Sequence, residues 1–75
     1  MDSLGKRSGR EILARNLRRL RREKGVTQET LAQQTDLTQT YLSQVEAGKR
    51  NISIDNVEAL ANAFGISISA LLDGD

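Results

Sequence analysis

Apolar residues recur along this chain at helical rather than strand spacing. From about Gly9 to Lys24 the period is clear: Leu13, Leu17 and Leu20 fall within about 60° of one another on a helical wheel, flanked by Ile12 and Ala14. Gly25 ends this helix, since glycine accepts the left-handed conformation that closes a last turn. On the same wheel Arg15, Arg18 and Arg22 lie opposite the leucines and are expected in solvent. Arg21 sits at the edge of the apolar stripe and needs a partner.

Thr27-Gln28-Glu29-Thr30 reads as a capping box in which Thr30 imperfectly replaces the usual Glu or Gln. It opens a short second helix over 28–35, whose apolar content is Leu31 and Ala32. Asp36 then suits a left-handed turn position that few other non-Gly residues accept. Thr38 caps a third helix, about 39–47, with Leu42 and Val45 inward and Gln39, Thr40, Ser43 and Gln44 outward. Ala47-Gly48-Lys49 ends it, and Lys49-Arg50-Asn51-Ile52 forms a short basic loop. Ser53 caps a fourth helix carrying Ile54, Val57, Leu60, Ala61 and Phe64, Gly65 closes it, and Ser67 opens a last helix over 68–72. No alternation is long enough for a strand, so the chain is expected to be all-α with five helices. Residues 1–8 lack periodicity and read as a flexible basic N-terminal arm before one domain spanning 9–73.

Composition narrows the chemistry. The 75 residues include ten Leu, five Ile and three Val, enough for one dense core. A domain of this size hides only about 60% of the surface its unfolded chain exposes, so its stability is modest. With no Cys and no His, disulfides, zinc sites, thiol nucleophiles and imidazole acid–base chemistry are excluded. No cofactor or metal is expected, and an enzyme is not expected either. No stretch approaches the roughly 18 apolar residues of a membrane span, and no secretory signal opens the chain. A cytoplasmic protein is the expectation, nucleoid-associated when bound to DNA.

The net charge of +1 conceals a division. Residues 1–25 carry nine Lys/Arg against three acids, and residues 26–75 carry two against seven. A basic end on an acidic domain suits a polyanion, nucleic acid or an anionic membrane, although a merely solvated basic helix has the same composition. The membrane reading is the weaker, because the Leu13/Leu17/Leu20 stripe is narrow and needed for the core.

Two short helices joined by a tight turn, the second presenting Gln39, Thr40, Ser43 and Gln44, form a helix-turn-helix arrangement. The DNA major groove, about 12 Å wide, admits one helix whose outer side chains offer donors and acceptors to base edges. The segment TQETLAQQTDLTQTYLSQVEAGKRNIS, followed by NVEALANAFGISISALL, resembles the Cro/C1-type, lambda repressor-like helix-turn-helix family across nearly all of residues 10–72.

The resemblance implies a five-helix, sequence-specific regulator of transcription, a repressor or a restriction-modification controller-like protein. Its partners would be double-stranded DNA and a second copy of itself on a palindromic operator. Gln39, Thr40 and Gln44 match base-reading positions, Gln being able to pair with adenine N6/N7 and the Thr methyl to pack on a thymine methyl. Gln28 would bond a phosphate at the N-terminus of the second helix, a plain surface cap being the alternative. Thr38 and Ser43 match positions that touch phosphate or support the readers, and Lys49, Arg50 and Asn51 match a loop that grips the backbone. Tyr41 reads equally as a phosphate contact or a half-buried structural aromatic.

Arg10, with Lys6 and Arg7 of the arm, is expected to touch phosphate. Glu46 is expected to pair with Arg21 as a structural ion pair. Ile66, Ile68, Leu71 and Leu72 offer more apolar surface than a short last helix buries alone and are the expected dimer interface, with core packing claiming part of them. Asp36, Thr35 and Ala47 depart from the family pattern, which suggests a looser turn. The rival function is a protein-interaction module or antitoxin-like partner with weak DNA binding.

Overall fold

The computed structural model describes residues 8–74. Among them are five helices: α1 (Gly9–Lys24), α2 (Gln28–Thr35), α3 (Gln39–Glu46), α4 (Ile54–Phe64) and α5 (Ile68–Leu71). Each begins where a hydroxyl side chain satisfies an otherwise orphaned N–H: Ser8, Thr27, Thr38, Ser53 and Ser67 all have extended backbones and accept from the amide three residues on. Ser8 thus caps α1, and its box with Glu11 is reciprocal, at 3.2 and 3.0 Å. Lys6 and Arg7 lie outside the described residues. At Thr27 the reciprocal partner is different, since its hydroxyl meets that of Thr30 at 3.0 Å.

The α2–α3 turn closes around Asp36, whose φ of 60° and ψ of 24° are left-handed. The N–H groups of Asp36 and Leu37 both return to the Ala32 carbonyl. Thr35 donates its hydroxyl to the Leu31 carbonyl at 2.8 Å. These bonds make the turn tight rather than loose: Asp36 adopts the backbone a glycine would, and Thr35 satisfies its polar group locally.

The core is a single cluster drawn from every helix. Leu13, Leu17, Leu31, Leu42, Val45, Val57, Leu60, Ala61, Phe64 and Leu71 are buried together, with Leu20, Val26, Leu37, Tyr41, Ile52, Ile66 and Ile68 packed partly against them. α1 and α2 both pack against α3, so the inner side of α3 is fixed from two directions while its outer side stays open.

Three expectations from the sequence are corrected here. Leu71 is fully buried and is core, because α5 is a single turn packed against α4 and α1 and points this side chain into the cluster. It has no surface to offer a partner. Arg15 and Arg18 are half-buried rather than free in solvent. Arg15 donates to the Gly74 carbonyl at 3.1 Å and Arg18 to the Glu46 carbonyl, because neighbouring segments fold over that side of α1.

Candidate nucleic-acid interface

The outer side of α3 presents Gln39, Thr40, Ser43 and Gln44, all exposed. Together with Gln28 at the first turn of α2 they line one shallow open groove. The groove continues past Gln28 and Gln39 to Thr27, Val26, Gly25, Arg22 and Arg21. Leu42, Val45 and Glu46 on the other side of α3 are buried, so the helix cannot roll without breaking the core.

Glu46, 4% exposed, anchors the C-terminal end of α3. Arg21 donates to it twice, Nε to Oε2 at 2.6 Å and Nη2 to Oε1 at 2.9 Å, and sends Nη1 to the Val26 carbonyl at 3.0 Å. Hydrogen bonding to Glu46 raises the Arg21 guanidinium above its ordinary range, against a smaller opposing effect of burial. Gln28 Nε2 adds a third bond to the carboxylate, reaching Oε1 at 3.1 Å. α1, α2 and α3 thus meet at one carboxylate. A Gln28 side chain turned toward a phosphate would have to exchange this bond, whereas its backbone amide would not.

The loop after α3 forms a second cluster. Arg50 Nη1 donates to Gln44 Oε1 at 2.6 Å, and its guanidinium carbon lies 5.0 Å from the centre of the Tyr41 ring. The Tyr41 hydroxyl donates to the Asn51 carbonyl at 3.4 Å and accepts from Asn56 Nδ2 of α4 at 3.3 Å. Tyr41 is half-buried against the core, with its polar end in this network. Arg10, on the first turn of α1, donates to Asn51 Oδ1, joining two of the residues expected at phosphates. Thr38 caps α3, its oxygen accepting from the Tyr41 amide at 3.0 Å. Lys49 is exposed.

The structure therefore brings Gln28, Gln39, Thr40, Ser43 and Gln44 together, with Tyr41, Arg50 and Asn51 beside them, and keeps Ile66, Ile68 and Leu72 in the α5 region.

Two residues of consequence were missed in the sequence. Asn16, 3% exposed, donates to the carbonyls of Leu71 and Asp73 at 2.6 and 2.9 Å and so caps the end of α5. Its signal was available: it falls between Ile12 and Leu20 on the α1 wheel, a polar residue inside the apolar arc. Asn56 showed no such signal, since its partner Tyr41 is fifteen residues away. Ile54, at the start of α4, is 62% exposed. With Ile52 and Leu72 it lines a shallow, largely apolar depression that also touches Arg10 and Asn51.

Among the described residues no helix is long and apolar enough to cross a membrane. The sequence model described as Helix-turn-helix matches residues 17–71. A control protein, C.BamHI of Bacillus amyloliquefaciens, is 40% identical over 65 residues, covering 85% of this chain and 80% of the relative. The crystal structure of a hypothetical transcription factor from Neisseria superposes with a TM-score of 0.83 at 43% identity, covering 87% of this chain and 75% of that one. The restriction-modification controller protein C.AhdI from Aeromonas hydrophila superposes with a TM-score of 0.79 at 40% identity, covering 83% of this chain and 94% of that one.

Proposed function

Because the chain belongs to the Cro/C1-type helix-turn-helix family and is a DNA-binding transcriptional regulator, we propose that it binds a two-fold symmetric operator as a homodimer, with α3 of each copy in the major groove. Gln39, Thr40 and Gln44 read bases, while Arg10, Gln28, Thr38, Tyr41, Ser43, Lys49, Arg50 and Asn51 contact phosphate or support the readers. The observation that carries this reading is the exposed polar face of α3, free of bulky side chains and held by a buried underside and the Glu46 anchor. A groove-inserted helix needs both properties: outer groups that reach base edges, and a fixed roll that keeps them in register. Two of the similar proteins are named as control or controller proteins, and we assign this chain the same kind of role, in a restriction-modification system.

The homodimer follows from scarcity of contacts. One short helix reads too few base pairs for useful specificity, and a second copy doubles the site. Among the described residues Leu72, 37% exposed, and Ile54, 62% exposed, are the large apolar side chains left open, and we place the interface on them with the margins of Ile66 and Ile68. Dimer assembly then makes operator occupancy steep in protein concentration. Selection of bound duplexes from a random library at about 0.15 M salt tests the reading, since lower salt exaggerates non-specific attraction. An inverted repeat recovered by the native protein and lost by a Gln39→Ala/Gln44→Ala double variant is expected. Recovery of no motif, or of a motif the double variant still selects, overturns base readout by α3.

A further inference from the structure

Gln44 is not alone at the surface of α3. The guanidinium of Arg50 carries only donors, so the atom of the Gln44 carboxamide that meets Arg50 Nη1 at 2.6 Å must be the oxygen. The amide nitrogen, with its two donors, is thereby the end left for other partners. Arg50 is in turn positioned by the Tyr41 ring, 5.0 Å from the guanidinium carbon, where the face of the aromatic attracts the cation. Tyr41 is positioned by its place against the core and by Asn56 and the Asn51 carbonyl at its hydroxyl. A chain of contacts thus runs from α4 through Tyr41 and Arg50 to a residue on the outer face of α3.

Resting on the reading that α3 enters the major groove, we infer that Arg50 is a specificity-determining residue that acts through Gln44, holding its carbonyl oxygen so that Gln44 presents donors and selects guanine. A free glutamine pairs with adenine by using both ends of its amide, accepting from N6 and donating to N7. With Arg50 in place the acceptor end is engaged and a full positive charge lies beside it. Adenine then brings its N6 donor toward an oxygen that already accepts one bond and toward a cation that repels it. Guanine brings two acceptors, O6 and N7, toward an N–H₂ group and that same charge. Exclusion of water on docking strengthens both effects, because charges interact more strongly at lower dielectric. Arg50 is here a positioning residue, and Gln44 makes the base contact.

The experiment is duplex selection at about 0.15 M salt with the native protein and the Gln44→Ala, Arg50→Ala and Arg50→Met variants. Arg50→Met retains a long side chain on Tyr41 but has no donor, so it separates loss of the clamp from loss of packing. The Gln44→Ala variant identifies the base-pair column that Gln44 reads, as the one whose preference it abolishes. In that column the native protein is expected to favour guanine over adenine by about tenfold. Both Arg50 variants are expected to reverse that preference, leaving the columns read by Gln39 and Thr40 unchanged. A native preference for adenine there, or a guanine preference that survives both Arg50 variants, overturns the inference. So does a guanine preference lost on Arg50 substitution in a column that Gln44→Ala leaves intact, since Arg50 would then read a base itself.

If the native protein selects no motif, base readout by α3 fails and the guanine assignment fails with it. The clamp has a separate readout in the free protein. The Gln44 side-chain amide resonances should move in Arg50→Ala and Arg50→Met but not in Arg22→Ala, and their failure to move overturns the clamp whatever the DNA result.

Discussion

Arg21 of α1 and Glu46 of α3 are joined by two parallel hydrogen bonds, at 2.6 and 2.9 Å, across a boundary where the carboxylate is nearly inaccessible to water. Because the Glu46 oxygens also accept from Gln28, one carboxylate fixes three helices. Removing either partner strands the other. Glu46→Ala is expected to cost about 3 kcal/mol of unfolding free energy. Glu58→Ala, at an exposed position of α4, should cost under about 0.5 kcal/mol. Urea unfolding of the two variants checks this, and equal midpoints refute a structural role for the pair. Arg21 has its affinity for the proton raised by Glu46. A base raised on folding contributes stability that is lost only as pH climbs through its folded value, so Arg21 adds no pH dependence near neutrality.

Asn16 holds α5 to α1 by donating to two carbonyls that the short helix cannot satisfy itself. Asn16→Ala takes the buried donor from the Leu71 carbonyl and a part-buried bond from that of Asp73, and is expected to destabilise by about 1–3 kcal/mol. Amide exchange around Leu71 and Leu72 should accelerate more than exchange in α2. A variant as stable as the native protein would falsify the capping role.

Leu71 and Leu72 are neighbours in sequence with opposite surroundings. Leu71→Ala opens a cavity in the core and should cost about 2–4 kcal/mol at any protein concentration. Leu72→Glu and Ile54→Glu should leave the unfolding of the monomer within about 0.5 kcal/mol of native while shifting sedimentation from dimer to monomer. A dimer that persists in both variants moves the interface elsewhere.

Asp36 tests the turn. Its left-handed backbone suits Gly and tolerates Asp, whereas a β-branched side chain is strained there. Asp36→Gly is expected within about 0.5 kcal/mol of native, since relief of strain offsets added freedom in the unfolded chain. Asp36→Val should cost about 1–2 kcal/mol. Thermal melts of the two variants separate the outcomes, and equal midpoints would mean that the turn rearranges.

Phosphate contacts and base contacts should respond differently to salt. Lys49→Ala is expected to weaken binding to all sequences alike and to reduce the slope of log affinity against log salt by about 1. Thr40→Ala should leave that slope intact and relax preference in one column. A Lys49 variant with an unchanged slope removes it from the phosphate contacts.

The elements were legible because their causes are local. Hydroxyl caps at Thr27, Thr38, Ser53 and Ser67, left-handed closures at Gly25, Asp36 and Gly65, and the Leu13/Leu17/Leu20 stripe act within a turn or two of chain. The polar face of α3 could be read for the same reason, as the complement of Leu42 and Val45. Arg21 was marked by its angle on the wheel, and Glu46 by the family pattern.

The remainder depends on what lies across from a residue, which no local rule contains. Arg15 and Arg18 are bonded to carbonyls because the C-terminal segment and the end of α3 happen to pass over α1. Leu71 is inside and Leu72 outside because α5 docks on α4 and α1 at one particular rotation. Gln44 meets Arg50 because the loop after α3 folds back onto Tyr41. The sequence by itself determined five helices, the caps of four of them, and the exposed polar face of the third. Only the tertiary structure decided which polar groups are already spoken for, because a hydrogen bond between distant residues exists only once packing has fixed their separation to a few tenths of an ångström.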